Sequence, residues 1–163
     1  MPGNSLTSEQ VLIILTATPT RIAALTEGLA PARLHAGPAP DEWSLNDILA
    51  HLRACADVWG NCMRAIIAEN HPTIRAINPQ AWIERTNYRD LDFGPSLRAF
   101  TAQRAELLAV LESLPPEGWE RTATVTGAGA PLRRTVLDYG NRFARHERAH
   151  VAHLVQIVPM LRL

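Results

Sequence analysis

The stretch TVLDYGNRFARHERAHVAHLVQI, residues 135–157, decides the fold. Val136, Tyr139, Phe143, His146, His150, His153 and Ile157 recur at spacings of 3, 4, 3, 4, 3 and 4. That rhythm keeps one side of a helix in line and predicts a long amphipathic α-helix, starting at Leu132 or Thr135 and running towards Pro159. Three of the chain's six histidines fall on this seam.

Three further segments share the pattern. The first runs from about Thr7 to Leu29. Thr7 with Gln10 fits a capping box, Leu6 with Val11 fits a hydrophobic staple, and Pro19 predicts a kink. The second begins at Ser44, with Asp47 three residues on and a Trp43–Ile48 staple, and continues to about Asn70. Its seam is Ile48, His51, Cys55, Val58, Cys62 and Ala65. The third spans about Pro95 to Leu114. The long connection before it holds a short helix near Pro79 to Asn87, and the connection after it has room for a little extended chain. Four amphipathic helices with few strand signals predict an all-α protein. We expect an antiparallel four-helix bundle, one domain over residues 1–163, with long connections between helices two and three and between three and four.

Composition narrows the function. Formal net charge is zero, and all 16 basic residues are arginine. Without a basic run there is no electrostatic footprint for nucleic acid. No apolar run is long enough to span a bilayer, and MPGNSLTSEQ does not read as a secretory leader. Cys55 and Cys62 lie about 10.5 Å apart by helical rise, too far to pair with each other. A reduced, cytoplasmic protein is expected.

The seam aims His146, His150 and His153 into the bundle, and His51 takes an equivalent inward position on the second helix. A single inward histidine is ordinarily a satisfied core residue. Several together need partners for their ring nitrogens, which a divalent cation supplies at once. His146 and His150 are separated by about 6 Å of helical rise, which suits two imidazoles on one metal. Residues 146–150 also spell HExxH, the zinc motif of metalloproteases. The protease reading fails further on. Gln156 stands where the extended motif needs His, His153 where it needs Gly, and none of the 13 residues after His150 is acidic. The third ligand must come from upstream, and His51 is the best placed. His35, in a Pro-rich connection, and His71, before Pro72, read as solvated loop residues.

The runs EWSLNDILAHL (42–52) and LRRTVLDYGNRFARHERAHVAHLVQI (132–157), in that order and with that long gap, resemble the DinB-like superfamily. This group of damage-inducible and YfiT-like bacterial proteins is unrelated to the polymerase of the same name. The similarity in organisation extends from about Leu6 to the end of the chain. It implies a four-helix bundle holding a metal through His51, His146 and His150, and a homodimer; from the inward histidines themselves we expect that metal to be zinc or nickel. Characterised relatives use low-molecular-weight thiols such as bacillithiol or mycothiol, as thiol S-transferases and a maleylpyruvate isomerase. Relatives often carry Gln at the position of His153, so that residue is an alternative ligand, a supporting partner or a base.

Three neutral imidazoles would leave a metal its full charge and open positions, an arrangement suited to catalysis. Transfer of a thiol to a small electrophile is the leading expectation; a non-catalytic bundle that binds metal or a small ligand is the other. Glu147 is expected either to receive a ligand N–H or to stand solvated beside Arg148. Cys55, one turn after His51, is a small buried hydrophobe or a further ligand. Trp43, Trp59 and Tyr139 are expected to pack the core. Arg53, Arg142 and Arg145 are candidates for recognising a thiol, none singled out by spacing.

Overall fold

The computed structural model describes residues 5–163. Among the described residues six α-helices follow one another: α1 (Ser8–Thr26), α2 (Pro31–Leu34), α3 (Leu45–Ala68), α4 (Pro79–Ile83), α5 (Phe93–Glu112) and α6 (Val136–Leu161). Strands β1 (Thr73–Arg75), β2 (Thr122–Thr126) and β3 (Leu132–Thr135) lie in the connections. No described helix is long and apolar enough to cross a membrane.

The long helices begin where local chemistry tells them to. Thr7, Ser44 and Thr135 each accept from a backbone N–H three residues on, while Gln10, Asp47 and Asp138 reach back to the cap's own N–H. These reciprocal bonds satisfy donors that the first helical turn leaves orphaned. Helix α1 runs through Pro19 and α6 through Pro159.

The bundle is made by α1, α3, α5 and α6. Among the four, α1 and α3 each pack against α5 and α6, so the order around the bundle is α1, α6, α3, α5. Consecutive bundle helices α1 and α3 are therefore diagonal, as are α5 and α6. A diagonal cannot be closed by a tight turn, which accounts for the long connections after α1 and α5. The α1–α6 approach is close. A methyl group added at Gly140 would stand 3.1 Å from Val11 Cγ1 and 3.4 Å from the Trp119 ring.

The core is filled by Val11, Leu15, Ile22, Leu52, Met63, Phe100 and Phe143, among others. One buried ion pair crosses it. Arg104 of α5 grips both carboxylate oxygens of Glu147 on α6 and donates to the Leu15 carbonyl of α1 at 2.8 Å. Its guanidinium lies 4.9 Å from the ring centroids of both Phe100 and Phe143. This overturns both expectations for Glu147. It has no exposed surface, so it is not solvated beside Arg148, and its oxygens are engaged by Arg104 and not by a histidine.

The small sheet is the part of the fold that periodicity does not announce. β1 runs parallel to β2, and β3 antiparallel to it. The register sets Ile74 and Leu132 on either side of Val125, and Arg134 opposite Ala123. Alternation along a strand puts these residues on one face, and Ala123 and Val125 are buried there. That face looks onto α3 and the first turns of α6.

Candidate metal centre

The buried stripe of α6 is Tyr139, Gly140, Phe143, Ala144, Glu147, Val151, Leu154, Ile157, Val158 and Leu161. It is turned from the histidine seam. At about 100° per residue, His150 sits roughly 40° from the centre of that stripe, His146 roughly 80° and His153 roughly 100°. His146 and His150 are accordingly half-buried, and His153 is exposed. The expectation that His153 points inward is corrected: alternating steps of three and four swing the seam from side to side, and His153 falls on its outermost edge although Ile157, four residues on, is buried. His51 is likewise half-buried, at the edge of the α3 stripe. The two flanks face each other across the α3–α6 groove and not along the bundle axis.

There the imidazoles converge. His146 Nε2 lies 2.9 Å from His51 Nε2 and 3.1 Å from His150 Nε2. A single in-plane lone pair or N–H on His146 serves two such neighbours poorly. A cation held at about 2.0–2.1 Å from each nitrogen would place them about 3 Å apart, as they are. Among the described residues, His146 Nδ1 is also buried without a hydrogen-bond partner. The donor set therefore fits a divalent metal. Cys55 joins it: Sγ stands 3.7 Å from His51 Nε2 and 4.0 Å from His146 Nε2, and His51, Cys55 and His146 form a cluster able to hold an ion.

Electrostatics keep the rings neutral, the form a metal takes. Burial, then the charges of His150, His51 and Arg142, hold His146 down to about 3. Burial, then His51 and His153, hold His150 down to about 4. Burial and Arg89 lower His51. Burial first, and Glu147 second, push the Cys55 thiol up to about 12. These shifts predict how the metal-free protein responds to acid. Unfolded imidazoles titrate near 6.5, so below that pH the unfolded chain takes up protons that the folded chain refuses. Stability should be full above about pH 6.5 and fall as the pH drops towards 3–4. Urea midpoints of chelator-treated protein between pH 7.5 and 4.5 check this; His146→Gln should flatten the slope, and an unchanged slope would count against it.

Two aromatic rings flank the cluster. Trp59 meets His146 edge-on at 4.9 Å between centroids, and Trp43 lies 5.2 Å from His51. Trp59 and Tyr139 are buried as expected, but Trp43 is 43% exposed, at the rim and not in the core. Above the cluster opens a cleft of about 400 Å³, walled by His51, Cys55, Trp59, Asn78, Gln80 and Arg142, among others. Asn78 and Gln80, at the start of α4, went unnoticed in the sequence; nothing but tertiary placement brings them here. Helix α4 is pinned by Asp57, whose carboxylate accepts from Trp82 Nε1 at 2.9 Å and from the Tyr88 hydroxyl at 2.6 Å.

The other candidates lie elsewhere. Arg53 stacks on Tyr88 at 3.8 Å and donates to Ser96, and Arg145 does not line the cleft. Of the three arginines only Arg142 faces it. His35 is exposed and accepts from the Phe93 amide at 3.3 Å. His71 is exposed and bonded to Thr122 and Thr124.

Bundle and cluster together define a class: a four-helix protein with a histidine–cysteine group between two helices, open to solvent on one side. The chain belongs to the DinB superfamily, whose family model matches residues 14–154. Its fold is similar to that of YfiT from Bacillus subtilis, with a TM-score of 0.77 and 18% sequence identity, covering 94% of this chain and 88% of YfiT. YfiT is described as "a probable metal-dependent hydrolase with an unusual four-helix bundle topology". No curated protein matches the chain.

Proposed function

We propose that the protein is a metal-dependent enzyme that joins a low-molecular-weight thiol to a small electrophile, with zinc or nickel held by His51, His146 and His150. The observation that carries this is the meeting of three Nε2 atoms beside an open, partly polar cleft whose wall includes two of their rings, His51 and His146. A sealed apolar space there would have favoured the non-catalytic reading. A divalent metal on these nitrogens supplies Lewis acidity and favours the ionised form of a thiol that binds it.

The chain's own groups do the rest. Arg142, at the cleft wall, attracts and orients an anionic reactant. Asn78 and Gln80 offer both donors and acceptors at the rim. The sulfur–carbon bond forms as the leaving group departs with its electron pair, and the thiol proton passes to solvent. The description of YfiT motivates hydrolysis as the competing reading. Against it, no carboxylate is among the residues lining this cleft, and Glu147 is held away by Arg104. A metal here would help either nucleophile ionise; with no acidic group among the residues lining the cleft to relay protons, the intrinsically more acidic thiol is favoured over water. The reaction belongs in a reducing compartment, consistent with a cytoplasmic enzyme.

The test is spectroscopic. Cobalt-substituted protein should develop a thiolate charge-transfer absorption on adding bacillithiol, mycothiol or another small thiol, and the loaded protein should alkylate that thiol with a model electrophile. Chelation should abolish both. A cobalt spectrum indifferent to every thiol, with no transfer, would overturn the proposal.

A further inference from the structure

The cleft over the histidines does not end at Trp59. On the far side of Trp59 and Arg142, which border both spaces, a second recess of about 330 Å³ opens between α3, the start of α6 and the inner face of the sheet. Its walls are of two kinds. Val58, Val125, Leu132 and Ile77 supply hydrocarbon, and Leu132 and Ile77 are 43% and 50% exposed. Arg134 and Arg142 supply two guanidiniums, neither of which makes an ion pair among the described residues. Past Cys62 and Ile77 the surface continues into a smaller recess of about 170 Å³ that ends at Trp82.

The sheet exists in this form to build that recess. The β2–β3 register puts Leu132 beside Val125 and Arg134 beside Ala123, on the face that looks onto the helices. A slip of one residue would turn Arg134 outward and Arg133 inward. The one acidic group at the wall, Asp138, is engaged: its Oδ2 accepts from the Thr135 backbone N–H at 2.8 Å, as the cap of α6. Arg142 lines both spaces, so its charge faces the recess and the histidine cleft alike.

We propose that this recess is the electrophile's subsite and that the substrate is an organic anion with an apolar body, its carboxylate taken by Arg134 and Arg142 and its hydrocarbon laid on Val58, Val125 and Ile77. Paired guanidiniums suit a carboxylate, and the hydrocarbon wall suits an alkyl or aryl group better than the hydrophilic body of a sugar or peptide thiol. Arg142, at the junction, leaves the reactive end of such a molecule facing the histidine cluster. This inference deepens the transferase reading, and its binding arm does not depend on the metal.

The test uses hexanoate as probe, with hexanol as its uncharged counterpart, titrated calorimetrically into chelator-stripped and metal-loaded protein. Hexanoate should bind both forms equally and more tightly than hexanol. Arg134→Gln should weaken hexanoate by about tenfold while leaving hexanol unchanged, and Arg134→Lys should restore part of the loss. Circular dichroism checks that each variant is folded. Hexanoate binding that needs the metal, or that ignores Arg134→Gln, would place the carboxylate on the ion and overturn the subsite. No hexanoate binding to either form would overturn it too. Failure of the cobalt–thiol test with hexanoate binding intact would sink the transferase reading and leave the anion site standing.

Discussion

His146→Ala should abolish metal binding, lowering metal content from about one ion per chain to near none and affinity by more than about a hundredfold. The reason is its place in the middle of the cluster. Its Nε2 is the atom that approaches both His51 and His150, at 2.9 and 3.1 Å, and without it those two rings lose their common neighbour. His51→Ala and His150→Ala should each be severe for the same geometric reason. His153→Ala should behave like His35→Ala and His71→Ala, with little effect, because all three side chains are exposed. Elemental analysis and competition titration of protein made without an affinity tag measure this. Strong metal binding by the His146→Ala protein would refute the ligand set, and a severe defect in His153→Ala would show that the α6 ligands are 150 and 153.

The second large effect is on stability. Glu147→Gln removes one charge of a pair whose side chains are only 1% and 3% exposed. Burial favours the neutral acid and pushes Glu147 up; the Arg104 charge and hydrogen bonds oppose this. With the partner neutralised, Arg104 is left charged in the core among Phe100, Phe143 and the Leu15 carbonyl. Breaking such a pair on one side costs about 3–5 kcal/mol, whereas replacing both partners by apolar residues of similar volume is often neutral. We therefore expect Glu147→Gln to lower the urea midpoint steeply and Arg104→Met with Glu147→Leu to recover most of it. A Glu147→Gln protein as stable as the parent would contradict the pairing. The same experiment separates this protein from an HExxH protease, in which the glutamate would serve the metal and its loss would spare the fold.

The bundle was legible because its signals are local. Thr7 with Gln10 and Ser44 with Asp47 mark helix starts within four residues, and the capping boxes they suggest are present. The fourth helix starts at Val136, with Thr135 as its cap. The meeting of His51 with His146 and His150 was legible in outline, since all three stand on apolar flanks. What the pattern could not say is which part of a flank is core. A seam counted in threes and fours cannot distinguish His150, about 40° from the stripe's centre, from His153 at about 100°, because burial depends on the partner helix. Glu147 was misread because its neighbour in sequence is Arg148, while its neighbour in space is Arg104, 43 residues away. Extended chain was expected in the connection after α5, where β2 and β3 lie, but the strand that completes the sheet was not legible, for a related reason. β1 is three residues long, and its partner, β2, is supplied from the other side of α5.

The ring order of the bundle also bears on how the chain reaches its native state. Helix α1 finds its neighbours chiefly in α5 and α6, so its apolar residues Val11, Leu15 and Ile22 lack most of their native cover until most of the chain exists. Helical proteins usually fold fast because adjacent helices pair as they form. Here the first bundle helix is diagonal to the second, and loop closure must span some hundred residues before α1 is buried. During synthesis α1 would spend its time as an uncovered amphipathic helix, a natural client for a chaperone, and refolding should be slow for a protein of this helical content.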